Sequence, residues 1–130
     1  VNVCGHRIST AEVEAALLKH TLVAEAAVVG VTDNLTGQAL AAFVSLNNQS
    51  KTTQVTVELK ELVREAIGTF ALPKSVYIVD DIPKTRSGKI TRRILRKILD
   101  GQSDHIGDTS TVINPFAIEA IRYAVEKNNQ

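Results

Sequence analysis

Apolar residues run along this chain in two rhythms, and each predicts a different element. "VAEAAVVGVTD" and "GQALAAFVSLN" are dense apolar runs that predict two strands, and the Asp, Asn and Gly of "DNLTG" between them fit a hairpin loop. "SVYIVDDI", after Pro73, predicts a third strand, and "VNVCGHRI" a short one interrupted at Gly5. Helical spacing appears between these runs. In "STAEVEAALLKH", Ser9 followed by Glu12 makes a capping box, and Val13, Ala16, Leu17 and His20 share a face. "NNQSKTTQ" reads as a polar surface loop. "VTVELKELVREAIG" then returns to helical spacing, with Leu59, Leu62, Val63, Ala66 and Ile67 on one side and Gly68 as a stop.

The second half ends in two more helices. Ile94, Leu95, Ile98 and Leu99 form an apolar stripe opposite Arg92, Arg93, Arg96 and Lys97, and Gly101 closes that helix. "QSDHIGDTSTVINP" reads as a surface tail, and Asn114-Pro115 opens an amphipathic helix carrying Phe116, Ile118, Ile121 and Val125. The order predicts one α+β domain over 1–130, a small three-to-four-stranded sheet covered by helices, with 102–130 as tail and final helix.

Composition sets limits. The 130 residues are 44% hydrophobic and 22% charged, the signature of a folded domain with a core of its own. No apolar stretch is long enough to span a bilayer. The chain opens at Val1 within a strand-like run, so the expectation is a piece of a longer protein. One cysteine, Cys4, provides no disulfide framework and points to a reducing compartment, cytosol or nucleus.

Charge changes the picture more. The net charge is only +1, yet "PKTRSGKITRRILRKI", residues 83–98, holds seven of the 15 basic residues and no acidic one. Such asymmetry predicts a local anion site. Pro83, Ser87 and Gly88 prevent a regular element ahead of Lys89, so its ammonium is expected on a flexible arm beside bare backbone N–H groups, a combination suited to phosphate. The motif is no P-loop, because the upstream glycine of that motif is missing. A solvated basic loop before a surface helix is the bland alternative. In "CGHR", Gly5 permits close approach of a ligand and Arg7 can bind an anion in bidentate fashion. Arg64, flanked by Glu61 and Glu65, reads locally as a surface ion pair. His20 and His105 lack partners at metal-ligand spacing. No aromatic residue lies in the basic stretch, which argues against single-strand stacking and membrane anchoring. An enzyme piece that handles phosphates and a basic binding module both remain open on these grounds.

Taken together, "VNVCGHRISTAEVEAAL", "VAEAAVVGVTDNLTGQALAAFV", "LPK", "DIPKTRSGKITRRILRKI" and "GDTST" resemble the C-terminal domain of the acetyl-coenzyme A synthetase family, within the adenylate-forming superfamily. The resemblance runs from Val1 to Pro115, and "GDTST" narrows it to the acetyl or propionyl branch. It implies ATP and coenzyme A as substrates and acetyl-AMP as intermediate. It implies Mg2+ as cofactor and a large N-terminal domain as partner, with no specific nucleic acid and no membrane. By the same resemblance Lys89 is the adenylation lysine, whose acetylation would switch the enzyme off. Arg7 would contact the nucleotide phosphate, and Gly5 would lie at the thiol tunnel. Cys4 stands where serine is usual beside coenzyme A, and Arg64 would bind coenzyme A phosphates. Magnesium would meet backbone carbonyls of Leu18, His20 and Val23.

Overall fold

The computed structural model describes residues 2–3, 6–7, 9–33, 37–47, 52–101, 106–107 and 109–128. Three full strands carry the fold: β3 (Val23–Asp33), β4 (Gly37–Leu46) and β5 (Ser75–Val79). Their lack of polar alternation has a physical reason, since both faces of the sheet are covered. Val23, Ala26, Val28, Leu40, Ala42 and Val44 enter one core, with Val76 and Ile78 against it. The intervening Ala27, Val29, Ala41, Phe43, Tyr77 and Val79 enter the other. One-residue alternation therefore feeds two cores from one sheet.

Strand β4 is central. It pairs antiparallel with β3, from Asp33 opposite Gly37 to Val23 opposite Leu46, and parallel with β5, Ala41 opposite Ser75. The short β1 (Asn2–Val3) and β2 (His6–Arg7) pair antiparallel, and Val3 lies opposite Gly37 of β4. The single interrupted strand expected at the start is thus two paired strands of two residues each, and Gly5 lies outside the described residues.

Helices α1 (Thr10–Leu17) and α2 (Thr52–Ala66) cover the first face through Val13, Ala16, Leu17, Val55, Leu59 and Val63. Ser9 caps α1 by accepting the Glu12 N–H at 3.4 Å, as the capping box predicts. His20, expected on the helix face, lies beyond the helix end instead. The α2 helix starts at Thr52, inside the stretch read as loop, and Ala66 is exposed rather than facing the core. Gly68 ends that segment with φ 145°, and a Cβ there would stand 2.7 Å from the Phe70 ring.

Helices α3 (Arg92–Leu99) and α4 (Phe116–Asn128) cover the second face. Ile94, Leu95 and Ile98 of α3 meet Ile118, Ile121 and Val125 of α4. Phe116 is exposed, and its neighbour Ala117 takes the buried place. Ile106 and Val112 of the expected surface tail are buried in the same core; 102–105 and 108 lie outside the described residues. The result is α+β, with helices on both faces of a mixed sheet.

Candidate active-site arm

The arm between β5 and α3 is built as a narrow ladder. Lys84 and Ile90 face each other in an antiparallel bridge, and Thr85 bridges to Val112. The Thr85 N–H donates to the Lys89 carbonyl at 2.8 Å and the Gly88 N–H to the Thr85 carbonyl at 2.9 Å. Gly88 turns the chain at φ +87°, where a side chain would be strained even though space is open. Thr91 closes the base, its N–H and Oγ1 both donating to the Pro83 carbonyl, at 3.1 and 3.0 Å. Lys89 is exposed just past the turn, with no ion-pair partner among the described residues. The flexible loop expected from Pro83, Ser87 and Gly88 is therefore a hydrogen-bonded turn. The bonds of the turn itself are local, but Val112, Ile113 and Asn114, which hold its first residues, are too distant in sequence for local reading to find.

Those partners form a clamp. Asp81 Oδ1 accepts the Ile82 N–H and the Lys84 ammonium, both at 2.9 Å, while Oδ2 accepts Asn114 Nδ2 at 2.8 Å. Buried Asn114 also donates to the Ile82 carbonyl at 3.0 Å and accepts the Lys84 N–H at 3.0 Å. Lys84 reaches Glu25 of β3 at 3.1 Å, so the base of the arm is tied to the sheet. Burial alone would push the Asp81 carboxyl up. The bonds from Lys84, Asn114 and Ile82, with the Lys84 charge, outweigh it and hold Asp81 below its usual value. Burial likewise works against the Lys84 charge, and Asp81 with Glu25 outweighs it, so Lys84 sits above its usual value.

The sign of the pH effect follows. A depressed carboxylate stabilises the fold fully above its unfolded value, near pH 4, and loses that contribution as pH falls through the folded one. Asp81→Asn should therefore cost about 1–3 kcal/mol at pH 7. The gap from the parent should narrow as pH drops below about 4. Urea titrations across pH 2–7 check this; a gap independent of pH would remove the charge from the explanation.

A second tie runs from α3 to α1. Arg92 Nε donates to Glu14 Oε2 at 2.9 Å, its Nη2 to Oε1, and the same Oε2 accepts the Val28 N–H at 2.8 Å. Glu14 thus offsets cationic charge at the start of α3 and satisfies an edge N–H of β3. Arg93 donates to the Ile106 carbonyl. Two basic side chains of α3 are engaged inside the domain, which weakens the case for a free polyanion-binding helix.

The remaining candidates lie on other elements. Arg64 is half-exposed on α2 and bonds Glu61 one turn away, raising the Arg64 value and lowering that of Glu61. Leu18 caps the end of α1, and its N–H bonds the Glu14 and Ala16 carbonyls. The His20 carbonyl accepts the Val23 N–H at 3.1 Å. The His20 ring accepts the Leu22 N–H at Nδ1, 3.1 Å, which leaves Nε2 to donate to Glu58 at 2.9 Å. That histidine fixes a turn. Among the described residues no group of three or more His, Cys, Asp or Glu could hold a metal, and no helix is long and apolar enough to cross a membrane. Arg7 lies in β2 opposite Asn2. Its side chain, Cys4, Gly5 and His105 fall outside the described residues. Local patterns located Lys89 and missed Asp81 and Asn114; the only sequence signal for the latter was Asn before Pro at a helix start.

Residues 12–89, from α1 to the arm lysine, match the AMP-binding enzyme C-terminal domain family, and the chain belongs to that family. Its relatives include the acetyl-coenzyme A synthetase of Penicillium chrysogenum, 59% identical over 130 residues, covering 100% of this chain and 19% of that protein. Acetyl-coenzyme A synthetase 1 of Saccharomyces cerevisiae is 58% identical over 123 residues, covering 88% of this chain and 17% of that protein. Among solved structures, an acyl-CoA synthetase from Brucella canis superposes with a TM-score of 0.69 at 42% identity, covering 74% of this chain and 18% of that one. This chain therefore spans about a fifth of the length of the curated relatives it matches.

Proposed function

We propose that this chain is the C-terminal domain of an AMP-forming acetate–CoA ligase, with Lys89 serving its first half-reaction. In that step an acetate oxygen attacks the α-phosphorus of ATP, the bond to the β-phosphate oxygen breaks, and pyrophosphate leaves. Coenzyme A sulfur then attacks the acetyl carbon, the bond to the phosphate oxygen breaks, AMP leaves and the thiol proton passes to solvent. Negative charge gathers on the α-phosphate oxygens in the first step, and an ammonium held there lowers that barrier. The observation that carries the reading is the exposed Lys89 just past the turn of a hydrogen-bonded arm. The acetyl rather than propionyl substrate is favoured by the names of the relatives, which are acetyl-coenzyme A synthetases at 54–62% identity.

The other roles extend the same proposal. Arg64 meets coenzyme A phosphates, its exposed pairing with Glu61 being easily exchanged for a polyanion. Arg7 meets the nucleotide phosphate, Gly5 lines the thiol tunnel and Cys4 lies beside coenzyme A. Acetylation of Lys89 removes its charge and stops the first step. Magnesium suits the carbonyls of Leu18, His20 and Val23 as hard neutral oxygens between the end of α1 and the start of β3. The set lacks a carboxylate and the His20 oxygen is shared with an N–H, so a cation there keeps several waters. The partner is the N-terminal four-fifths of a ligase, which supplies the ATP and acyl pockets.

A hybrid tests this: the Penicillium relative with its last fifth replaced by this chain. It should form AMP and acetyl-CoA from ATP, acetate and coenzyme A, while this chain alone should form neither. Turnover by the chain alone, or a silent hybrid beside an active Penicillium parent, would overturn the reading.

A further inference from the structure

The segment Thr109–Asn114 runs beside the arm, though it is separated from it by the whole of α3. Three contacts join them. Thr85 bridges Val112, the Ile113 N–H donates to the Lys84 carbonyl at 3.0 Å, and the Asn114 side chain spans Asp81, Ile82 and Lys84. Asn114 is 7% exposed and uses its amide at both ends: Nδ2 donates to Asp81 Oδ2 and the Ile82 carbonyl, and Oδ1 accepts the Lys84 N–H. Its own carbonyl accepts the Ala117 N–H at 2.9 Å and starts α4. One residue thus connects the start of the last helix to the base of the turn that carries Lys89.

Each end of this amide matters for a different reason. Lys84 is the first residue of the arm, and its N–H and carbonyl are both held from 113–114, so the strand-like direction of 84–85 is set by that segment. The Thr85 N–H and carbonyl then hold Lys89 and Gly88. A register set at Asn114 reaches Lys89 through only two backbone steps. Side chains held within about 0.5 Å of the productive position are what a preorganised site needs, and an ordered neighbour supplies that.

We propose that Asn114 is a positioning residue that fixes the direction of the Lys89 arm, with 109–114 acting as its splint. The proposal rests on the ligase reading for its catalytic consequence but not for its structural one, so the two are tested apart. In this chain, Asn114→Ala should raise hydrogen exchange of the Thr85, Gly88 and Thr91 amides at least roughly tenfold over the parent. Leu17→Ala on α1, a cavity in the opposite core, controls for lost stability and should leave the ratio of arm to α2 exchange unchanged. Arm amides as protected in Asn114→Ala as in the parent would overturn the proposal, as would an equal rise in both variants relative to α2.

In the Penicillium hybrid, Asn114→Ala should slow acetate-dependent ATP–pyrophosphate exchange roughly tenfold or more. Conversion of supplied acetyl-AMP to acetyl-CoA should stay within about twofold. Equal loss in both steps would assign Asn114 a purely structural role and contradict the positioning claim. Asn114→Asp keeps the acceptor for the Lys84 N–H but sets a second carboxylate against Asp81, so pyrophosphate exchange should recover as pH falls toward the carboxylate range. Absence of that recovery would contradict the donor role of Nδ2. A silent parent hybrid would count against the ligase reading alone, and the exchange rates in this chain would still decide the splint.

Discussion

Lys89→Ala in the hybrid ligase should reduce acetate-dependent ATP–pyrophosphate exchange by about 10²–10³, the usual cost of removing one preorganised charge from a site that excludes water. The size follows from geometry as well as charge. The arm reaches the lysine through a turn held at Thr85, Gly88 and Thr91, so little backbone freedom remains to be lost when the ammonium meets phosphate. Lys89→Arg should recover only part of the rate, because a planar guanidinium on a longer stem does not place its charge where a compact ammonium does. The fold should not suffer, since Lys89 is exposed and outside both cores. Unchanged thermal melting beside the lost exchange rate checks both halves. A loss below about threefold would leave the basic arm as a surface feature without a part in the chemistry.

Phe43→Ala should be the most damaging core substitution, lowering stability by about 3–5 kcal/mol. Phe43 is fully buried in the central strand and stacks on Tyr77 of β5, ring centroids 4.9 Å apart at 19°. The parallel pairing of β4 with β5 spans five residues, Ala41 to Ser45, so this stack sits at its middle. Truncation opens a cavity beneath α3 and α4 and removes an aromatic pair worth about 0.5–1.5 kcal/mol beyond its area. Melting temperature should fall by about 10–20 °C. Phe116→Ala is the comparison, because that ring is 67% exposed and should change stability by no more than about 0.5 kcal/mol. Equal effects of the two would mean that the ring at 43 does not occupy the core.

Elements whose signal is local were legible. Ser9 with Glu12 predicted the start of α1, and the dense runs around Val28, Val44 and Ile78 predicted the three strands. Their density was also informative about layers: buried residues at adjacent positions such as Ala27 and Val28 require cover on both faces. Helix ends were less legible, because helical spacing continues past a terminus. His20 fits the periodicity of α1, but its ring is better used in binding the Leu22 N–H and Glu58 beyond the last turn. Thr52 and Thr53 looked like loop by composition, yet they occupy the first turn of α2.

The candidate site divides in the same way. Lys89 stood out because seven basic residues in a short span are unusual in a chain of net charge +1. Asp81 and Asn114 did not stand out, as a carboxylate two residues before Pro83 and an asparagine before Pro115 are ordinary turn residues. Their importance arises only when contacts across 33 positions bring them together. For that reason the arm reads as flexible in sequence, although its backbone is bonded at Pro83, Lys84, Thr85, Gly88, Lys89 and Thr91. Arg64 had no local mark at all; exposed on α2 beside Glu61, it enters the account only through the resemblance to a ligase family.

We propose that one small domain serves two half-reactions through different residues, Lys89 in the first and Arg64 in the second. The most direct measurement is the rate of each half-reaction in the hybrid carrying Lys89→Ala and in the hybrid carrying Arg64→Ala. A crossed pattern is expected. Lys89→Ala should lose pyrophosphate exchange and keep conversion of supplied acetyl-AMP to acetyl-CoA, while Arg64→Ala should keep exchange and weaken coenzyme A use. If Lys89→Ala slowed the two half-reactions equally, the assignment of this lysine to the adenylation step would be contradicted.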